Sequence, residues 1–483
     1  MNKLQLVQSL AYIDGQWTTA QSGAMMDVIN PTNGAIITSV PDMAAEDAEA
    51  AVLAADKALV TWRKTTAKQR AVLLRTWFNL IVENAAELAK LLTSEQGKPY
   101  KEAYGEVMYG ASFVEWFAEE AKRTYGDNIP APMPGNRYMT IKQPVGVVTA
   151  ITPWNFPVAM ITRKVAPALA AGCTVIVKPG EDTPLCALAM AKLAEQAGIP
   201  KGVINVVTTK QPAAVGEVLC THPLVRKVSF TGSTAVGKHI LKQAAGTVKK
   251  VSMELGGNAP FIVFDDADID KAVQGALVSK YRNAGQTCVC TNRLYLHDAI
   301  YDEFMAKFTT AVSELRLGCG LENGTEIGPL INKKAIDKVS SIVQHALTQG
   351  AELHLGGHVA SIGELYYQPT ILTNVTEELD IAQQELFGPV ATVFLFTDEA
   401  DVIARANNTP YGLAAYFYSR DNSRIWRVGE ALEYGIVGVN EGIISTEVAP
   451  FGGIKESGNG REGSKYGIED YLEIKYLCLG IDV

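Results

Sequence analysis

Histidine is scarce in this 483-residue chain: six are dispersed along it, and no Cys/His set has the spacing of a structural zinc site. A metal centre is therefore not expected. The seven cysteines are few, odd in number and scattered, which argues against a disulfide framework and suits a reducing compartment, so the protein is read as cytoplasmic. Long apolar runs are missing as well. The longest, Val165 to Val177, is bounded by Lys164 and Lys178 and falls well short of the ~20 residues that span a bilayer. The opening residues, MNKLQLVQSLAYIDGQW, are interrupted by Gln and Asp and lack the apolar core of a signal peptide. Positive charge is not in excess. A net charge of −9 argues against nucleic acid or an acidic membrane surface as the main partner. It also requires that any anionic small substrate be met by a local cationic pocket.

What is present is an ordinary globular composition, 47% hydrophobic and 20% charged, in a chain long enough for two or three lobes. From Ala44 to about Tyr125 apolar residues recur at three- and four-residue spacing, predicting a run of helices. GDNIPAPMPGNR then breaks the run and predicts a linker or a protruding hairpin. From Val145 the rhythm changes. Short β-branched runs (VGVVTAI, CTVIVKP, VINVV, VRKVSFTG, VKKVSMELGG) alternate with helical stretches, predicting a parallel sheet with crossover helices over about 145–254. A second alternation starts after Gly257 and continues to about residue 440. The tail, GIEDYLEIKYLCLGIDV, alternates like a strand without an obvious local partner, which makes it a candidate for pairing with another sheet, in a neighbouring subunit for example.

Four segments carry possible chemistry. In YRNAGQTCVC, Cys288 follows Gly-Gln-Thr after a helical stretch, so its thiol is either accessible on a tight loop or buried as free cysteines commonly are. In MELGGN, Glu254 ends a strand, where parallel sheets open into ligand crevices; the carboxylate is either a base or a cap. In PWNFP, Asn155 is held stiffly between two prolines, as an oxyanion donor or as part of an ordinary turn. In FTGSTAVG, Gly232 and Gly237 permit close backbone approach and the helix start favours phosphate oxygens, although the spacing is not G-x-G-x-x-G.

Taken together, PWNFP, KPGEDTP, FTGS, ELGGN, GQTC, ELFGP and PFGG resemble the aldehyde dehydrogenase superfamily in identity, order and spacing, over nearly the whole chain. The fold implied is α/β: a Rossmann-like NAD(P)-binding domain (1–125 and 145–254), a second α/β catalytic domain (255–445) and a small oligomerisation arm (126–144 and 457–483). By the same resemblance Cys288 is the nucleophile. Asn155 and the Cys288 backbone N–H form the oxyanion hole, a feature worth ~3 kcal/mol or more per donor. Glu254 activates the water that hydrolyses the thioester. Trp154, Lys178, Glu181, Gly232, Ser233, Glu385 and Phe387 map to the cofactor site. Glu181 favours NAD over NADP, because a carboxylate accepts from a ribose 2′-hydroxyl and repels a 2′-phosphate.

Finer resemblance, in NAGQTCVC, ITRKVAPALAAGC, ALEYGIVGVNEGIIS and GREGSKYGIEDYLEIKY, is to the succinate-semialdehyde dehydrogenase branch, where two arginines and a serine hold the distal carboxylate. They map to Arg163, Arg282 and Ser445, and the arginine fork suits a carboxylate. Alternatives are glutarate semialdehyde, one methylene longer, a CoA-acylating variant, which Glu254 disfavours, and a family member recruited as a structural or binding protein. Cys290 is either a partner for a reversible disulfide with Cys288, as in some relatives of the branch, or a packed cysteine. The resemblance further implies a homodimer or homotetramer.

Overall fold

The computed structural model describes residues 5–481 and contains two large sheets, a three-stranded sheet and a two-stranded hairpin. In the first large sheet, Val147–Ile151, Thr174–Lys178 and Ile204–Val206 lie side by side in that order. The chain then crosses back to lay Val225–Thr231 and Lys250–Glu254 on the other side of Val147–Ile151, all five strands being parallel. Every residue of VVTAI and TVIVK is buried, as β-branched strands covered by helices on both faces must be. The strand order reverses at Val147–Ile151, and in open α/β sheets the crevice at the carboxyl ends beside such a reversal is where ligands bind.

The second sheet runs over Ala259–Val263, Thr291–His297, Val390–Phe396, Ala414–Tyr418 and Ile436–Val439, with Thr370–Thr373 and the antiparallel edge Glu352–Leu355 completing it. Its loops at the amino ends of Thr291–His297 and Val390–Phe396 contain Cys288 and Glu385 to Phe387, and these meet the carboxyl ends of the first sheet.

The N-terminal helical run is Ala45–Trp62, Ala67–Glu83, Ala85–Gln96 and Tyr100–Glu120. Two pairings were not legible in the sequence. Ala11–Ile13 and Gln16–Thr18 extend one edge of the first sheet, and Gly458–Asn459 pairs antiparallel with Met253 and Glu254 on the other edge. The tail strand, Leu472–Gly480, has a partner in its own chain: it pairs antiparallel with Asn136–Pro144 along its whole length, from Leu472↔Pro144 to Gly480↔Asn136. Asn128–Ile129 completes the expected hairpin, and the outer edge of Leu472–Gly480 remains unpaired among the described residues. No helix among the described residues is long and apolar enough to cross a membrane.

Candidate active site

The four segments singled out in the sequence meet where the two sheets face each other. PWNFP follows Val147–Ile151, Lys178 ends Thr174–Lys178, Gly232 and Ser233 follow Val225–Thr231, and Glu254 ends Lys250–Glu254. Opposite them, the helix Ile269–Tyr281 stops at Arg282, and a tight turn with left-handed backbone at Asn283, Ala284 and Gly285 delivers Cys288. The paired glycines of ELGGN are demanded by contact. A Cβ on Gly256 would stand 2.9 Å from Glu385 Oε2, and one on Gly257 would stand 2.5 Å from the Cys288 carbonyl oxygen.

Cys288 lines two cavities at once. One, of about 370 Å³, is walled by Trp154, Gly232, Ser233, Glu385 and Phe387, and Asn155 also reaches it. Trp154 and Phe387 meet edge to face, with centroids 5.6 Å apart. Ser233 caps the helix Thr234–Ala245, so that helix's N-terminal N–H groups open beside the cavity and favour an anion there. Glu385 accepts from the Gly257 N–H at 3.0 Å. Lys178 and Glu181 form an ion pair outside this wall; Glu181 lines an adjoining cavity that shares Ile331 and Asn332 with the first. Lys334 and Lys338 also line the first cavity and were not anticipated.

The second cavity, about 280 Å³, contains Arg163, Arg282 and Ser445 together with Phe156, Tyr109 and Phe451. The two arginines differ. Arg163 sits in the wholly buried helix Ala159–Ala171, its Nη2 paired with Glu462 Oε2 at 2.7 Å and its guanidinium 3.9 Å from the Phe451 ring centroid. Lys164 pairs with the other oxygen of Glu462. Arg282 forms no ion pair among the described residues, and its Nε is buried without a hydrogen-bond partner. Arg163 thus brings a charge already engaged by Glu462, whereas Arg282 forms no ion pair and has Glu102 as a more distant carboxylate neighbour. Glu102 and Glu106, four residues apart on one helical face, also border this cavity; the KEAYGEV spacing was the available signal for them.

Burial pushes the Cys288 thiol up to about 12; the nearby Arg163 charge opposes this, and Glu254 and Glu385 add to it. Burial, reinforced by Glu462, likewise holds the Glu254 carboxyl well above the usual carboxylate range, against the pull of Arg163, Lys164 and Arg461. Both Glu254 oxygens are buried without hydrogen-bond partners, and the carboxyl lies against Gly452, outside the walls of both cavities. Asn155 Nδ2 donates to the Gln286 carbonyl at 3.0 Å, which occupies one of its two amide hydrogens. Cys290 lines neither cavity. It is buried, and its thiol donates to the Lys280 carbonyl at 3.4 Å.

A half-buried thiol common to two cavities, with an amide lining one of them, is an arrangement open to covalent chemistry on a ligand that enters from either side. The chain belongs to the aldehyde dehydrogenase family, whose model matches residues 17–477. Within that family it is 60% identical, over the full length of both chains, to the NADP(+) succinate-semialdehyde dehydrogenase of Escherichia coli. It is 58% identical to a glutarate-semialdehyde dehydrogenase of Pseudomonas aeruginosa, covering 99% of this chain and 98% of that one. Its fold superposes with a TM-score of 0.97 on the betaine aldehyde dehydrogenase of Staphylococcus aureus solved with NAD+, at 38% identity, over 100% of this chain and 97% of that one.

Proposed function

We propose that this enzyme oxidises succinate semialdehyde to succinate with NAD or NADP, through a thioester on Cys288. One observation carries the reading: Cys288 is common to a cavity suited to a nucleotide and a cavity that holds the unpaired guanidinium of Arg282. The distal carboxylate of the substrate meets Arg282 as its principal charge partner, with Arg163 and Ser445 beside it, while the aldehyde carbon lies at the thiol. The first cavity fits a dinucleotide. A helix N-terminus at Ser233 suits phosphate, Glu385 suits ribose hydroxyls, and Trp154 and Phe387 supply aromatic walls. When bound there, the oxidised nicotinamide supplies a hydride acceptor.

Cys288 Sγ adds to the aldehyde carbon as its proton passes to the ionised Glu254, which releases it to solvent before hydrolysis; the raised thiol pKa makes the step dependent on such a base. The second N–H of Asn155 Nδ2 and the Cys288 backbone N–H hold the oxyanion of the thiohemiacetal. Loss of hydride leaves the thioester. Glu254, once ionised again and turned from Gly452 toward Cys288, then removes a proton from the attacking water; burial favours its protonated form, so the smaller ionised fraction is a stronger base than an exposed glutamate. Glu181 favours NAD, a departure from the NADP(+) relative in E. coli. The scattered free cysteines fit a cytoplasmic enzyme. The unpaired outer edge of Leu472–Gly480, with Ile474 and Tyr476 exposed, supports a homodimer or homotetramer joined through this arm.

The test is reduced-cofactor formation with an aldehyde panel, with mass spectrometry of enzyme quenched in steady turnover. A succinyl adduct on Cys288, absent in Cys288→Ala together with activity, is the expected result; substantial turnover by Cys288→Ala refutes the mechanism. The P. aeruginosa relative favours a second reading, glutarate semialdehyde as the physiological substrate. One methylene is worth ~1–3 kcal/mol, so the ratio of the two kcat/KM values decides between them.

A further inference from the structure

The segment Gln96 to Lys98, between two N-terminal helices, reaches the back of the site. Lys98 has no side-chain exposure, and its Nζ donates to Glu106 Oε2 at 2.6 Å and to the main-chain oxygen of Asn155 at 2.7 Å. The same Asn155 oxygen accepts from Asn283 Nδ2 at 3.1 Å. Asn283 Oδ1 accepts from Gln96 Nε2 at 3.0 Å, and Gln96 Oε1 accepts from the Lys98 N–H at 3.0 Å, closing a ring around the Asn155 carbonyl. The second oxygen of Glu106 accepts from the N–H groups of Val158 and Ala159, where the helix bearing Arg163 begins. The Lys98 ammonium also stands 3.8 Å from the Phe156 ring centroid.

A dry lysine–glutamate pair is a poor means of stabilising a fold, because desolvation offsets most of its attraction. As a clamp it is effective. A charge-assisted donor in a fully buried site is strong and directional, and here it grips the peptide of Asn155, whose side chain lines a cavity together with Cys288. Asn155 has no helix or strand hydrogen bonds to fix its peptide, since it lies in the loop between Ile151 and Ala159.

We propose that Lys98, clamped by Glu106, is a positioning residue that aims the Asn155 amide at the oxyanion of the Cys288 adduct. The inference rests on reading Asn155 as an oxyanion donor. A misplacement of about 1 Å in such a group lowers rates by ~100-fold.

The experiment is a double-mutant cycle of Lys98→Met and Asn155→Ala on the full-length enzyme, following the burst of reduced cofactor in stopped flow alongside the unfolding midpoint. Lys98→Met is expected to slow the burst by about 10- to 100-fold. Added to Asn155→Ala it is expected to slow it by less than about 3-fold, because the group being aimed is already gone. The doubly neutral Lys98→Met/Glu106→Gln removes the clamp without leaving Glu106 as an unpaired buried carboxylate, and Glu102 keeps Arg282 as a cationic neighbour. It is expected to show the same slow burst with a near-normal unfolding midpoint. A wild-type burst in the variant lacking Lys98, or an equal loss in both Asn155 backgrounds, overturns the proposal. Asn155→Ala alone leaving the burst unchanged strikes the oxyanion reading itself, so the two failures are separable.

Discussion

Arg282→Met is the perturbation that separates a specific carboxylate site from a general polar pocket. Arg282 forms no ion pair among the described residues, and its Nε is buried without a partner. Its removal therefore breaks no close ion pair in the free enzyme, only a longer-range attraction to Glu102 and a contact with the Phe156 ring, and the main loss is the bond to the substrate. A hydrogen bond to a charged group is worth ~1.5–3 kcal/mol, and a guanidinium can make two to one carboxylate, so about 3 kcal/mol is a conservative loss. At 1.4 kcal/mol per decade this lowers kcat/KM for succinate semialdehyde by roughly 100-fold. Butanal, which has no distal carboxylate, is expected to change by less than about 3-fold, well under 1 kcal/mol. Arg163→Met behaves differently. It strips Glu462 of one of two cationic partners and removes the cation stacked on Phe451, so it is expected to impair both aldehydes and to lower the unfolding midpoint. The assay is initial-rate kinetics with each aldehyde at saturating cofactor. Equal losses on both aldehydes for Arg282→Met refute the assignment of the free charge to the substrate.

Three further outcomes are expected. With burial raising its pKa to about 12, the Cys288 thiol in cofactor-free enzyme should alkylate roughly 30- to 60-fold more slowly at neutral pH than a cysteine of ordinary pKa, because a ~1000-fold smaller thiolate fraction is partly offset by the greater nucleophilicity of a high-pKa thiolate; the rate should climb tenfold per pH unit to beyond pH ~10, and a plateau below about pH 9 contradicts this. Glu181→Ser should raise kcat/KM with NADP relative to NAD by at least about 10-fold, since it removes a charge that repels a 2′-phosphate; an unchanged cofactor ratio in steady-state kinetics refutes the role given to Glu181. Ile474→Asp combined with Tyr476→Asp, at 67% and 54% exposure on the arm, should shift the enzyme to a smaller species in light scattering, and an unchanged mass removes the arm as the joining surface.

The chemistry-bearing segments were legible because each is a local object. A β-branched run followed by Pro, Gly or a small polar residue states that a strand ends and a loop begins, so PWNFP, FTGS and ELGGN could be placed at the carboxyl ends of strands from the sequence. GQTC reads equally locally, as a helix end followed by a tight turn. Resemblance then tied these pieces to one family, and the family match agrees.

What the sequence by itself determined is therefore the alternation of elements, the loops that hold Cys288 and Asn155, the strand end that holds Glu254, and the family. Tertiary structure alone decided which charges are spent. Arg163 and Arg282 look equivalent in sequence, but Glu462, 299 positions after Arg163, engages only the first. Cys290, two residues from Cys288, lines neither cavity and donates its thiol to the Lys280 carbonyl, and the tail strand is paired by a segment more than 300 residues earlier. Lys98 was invisible for the same reason. Hydrogen bonds and ion pairs between distant segments depend on which side chains the fold brings within a few ångströms of one another, and no local pattern records that.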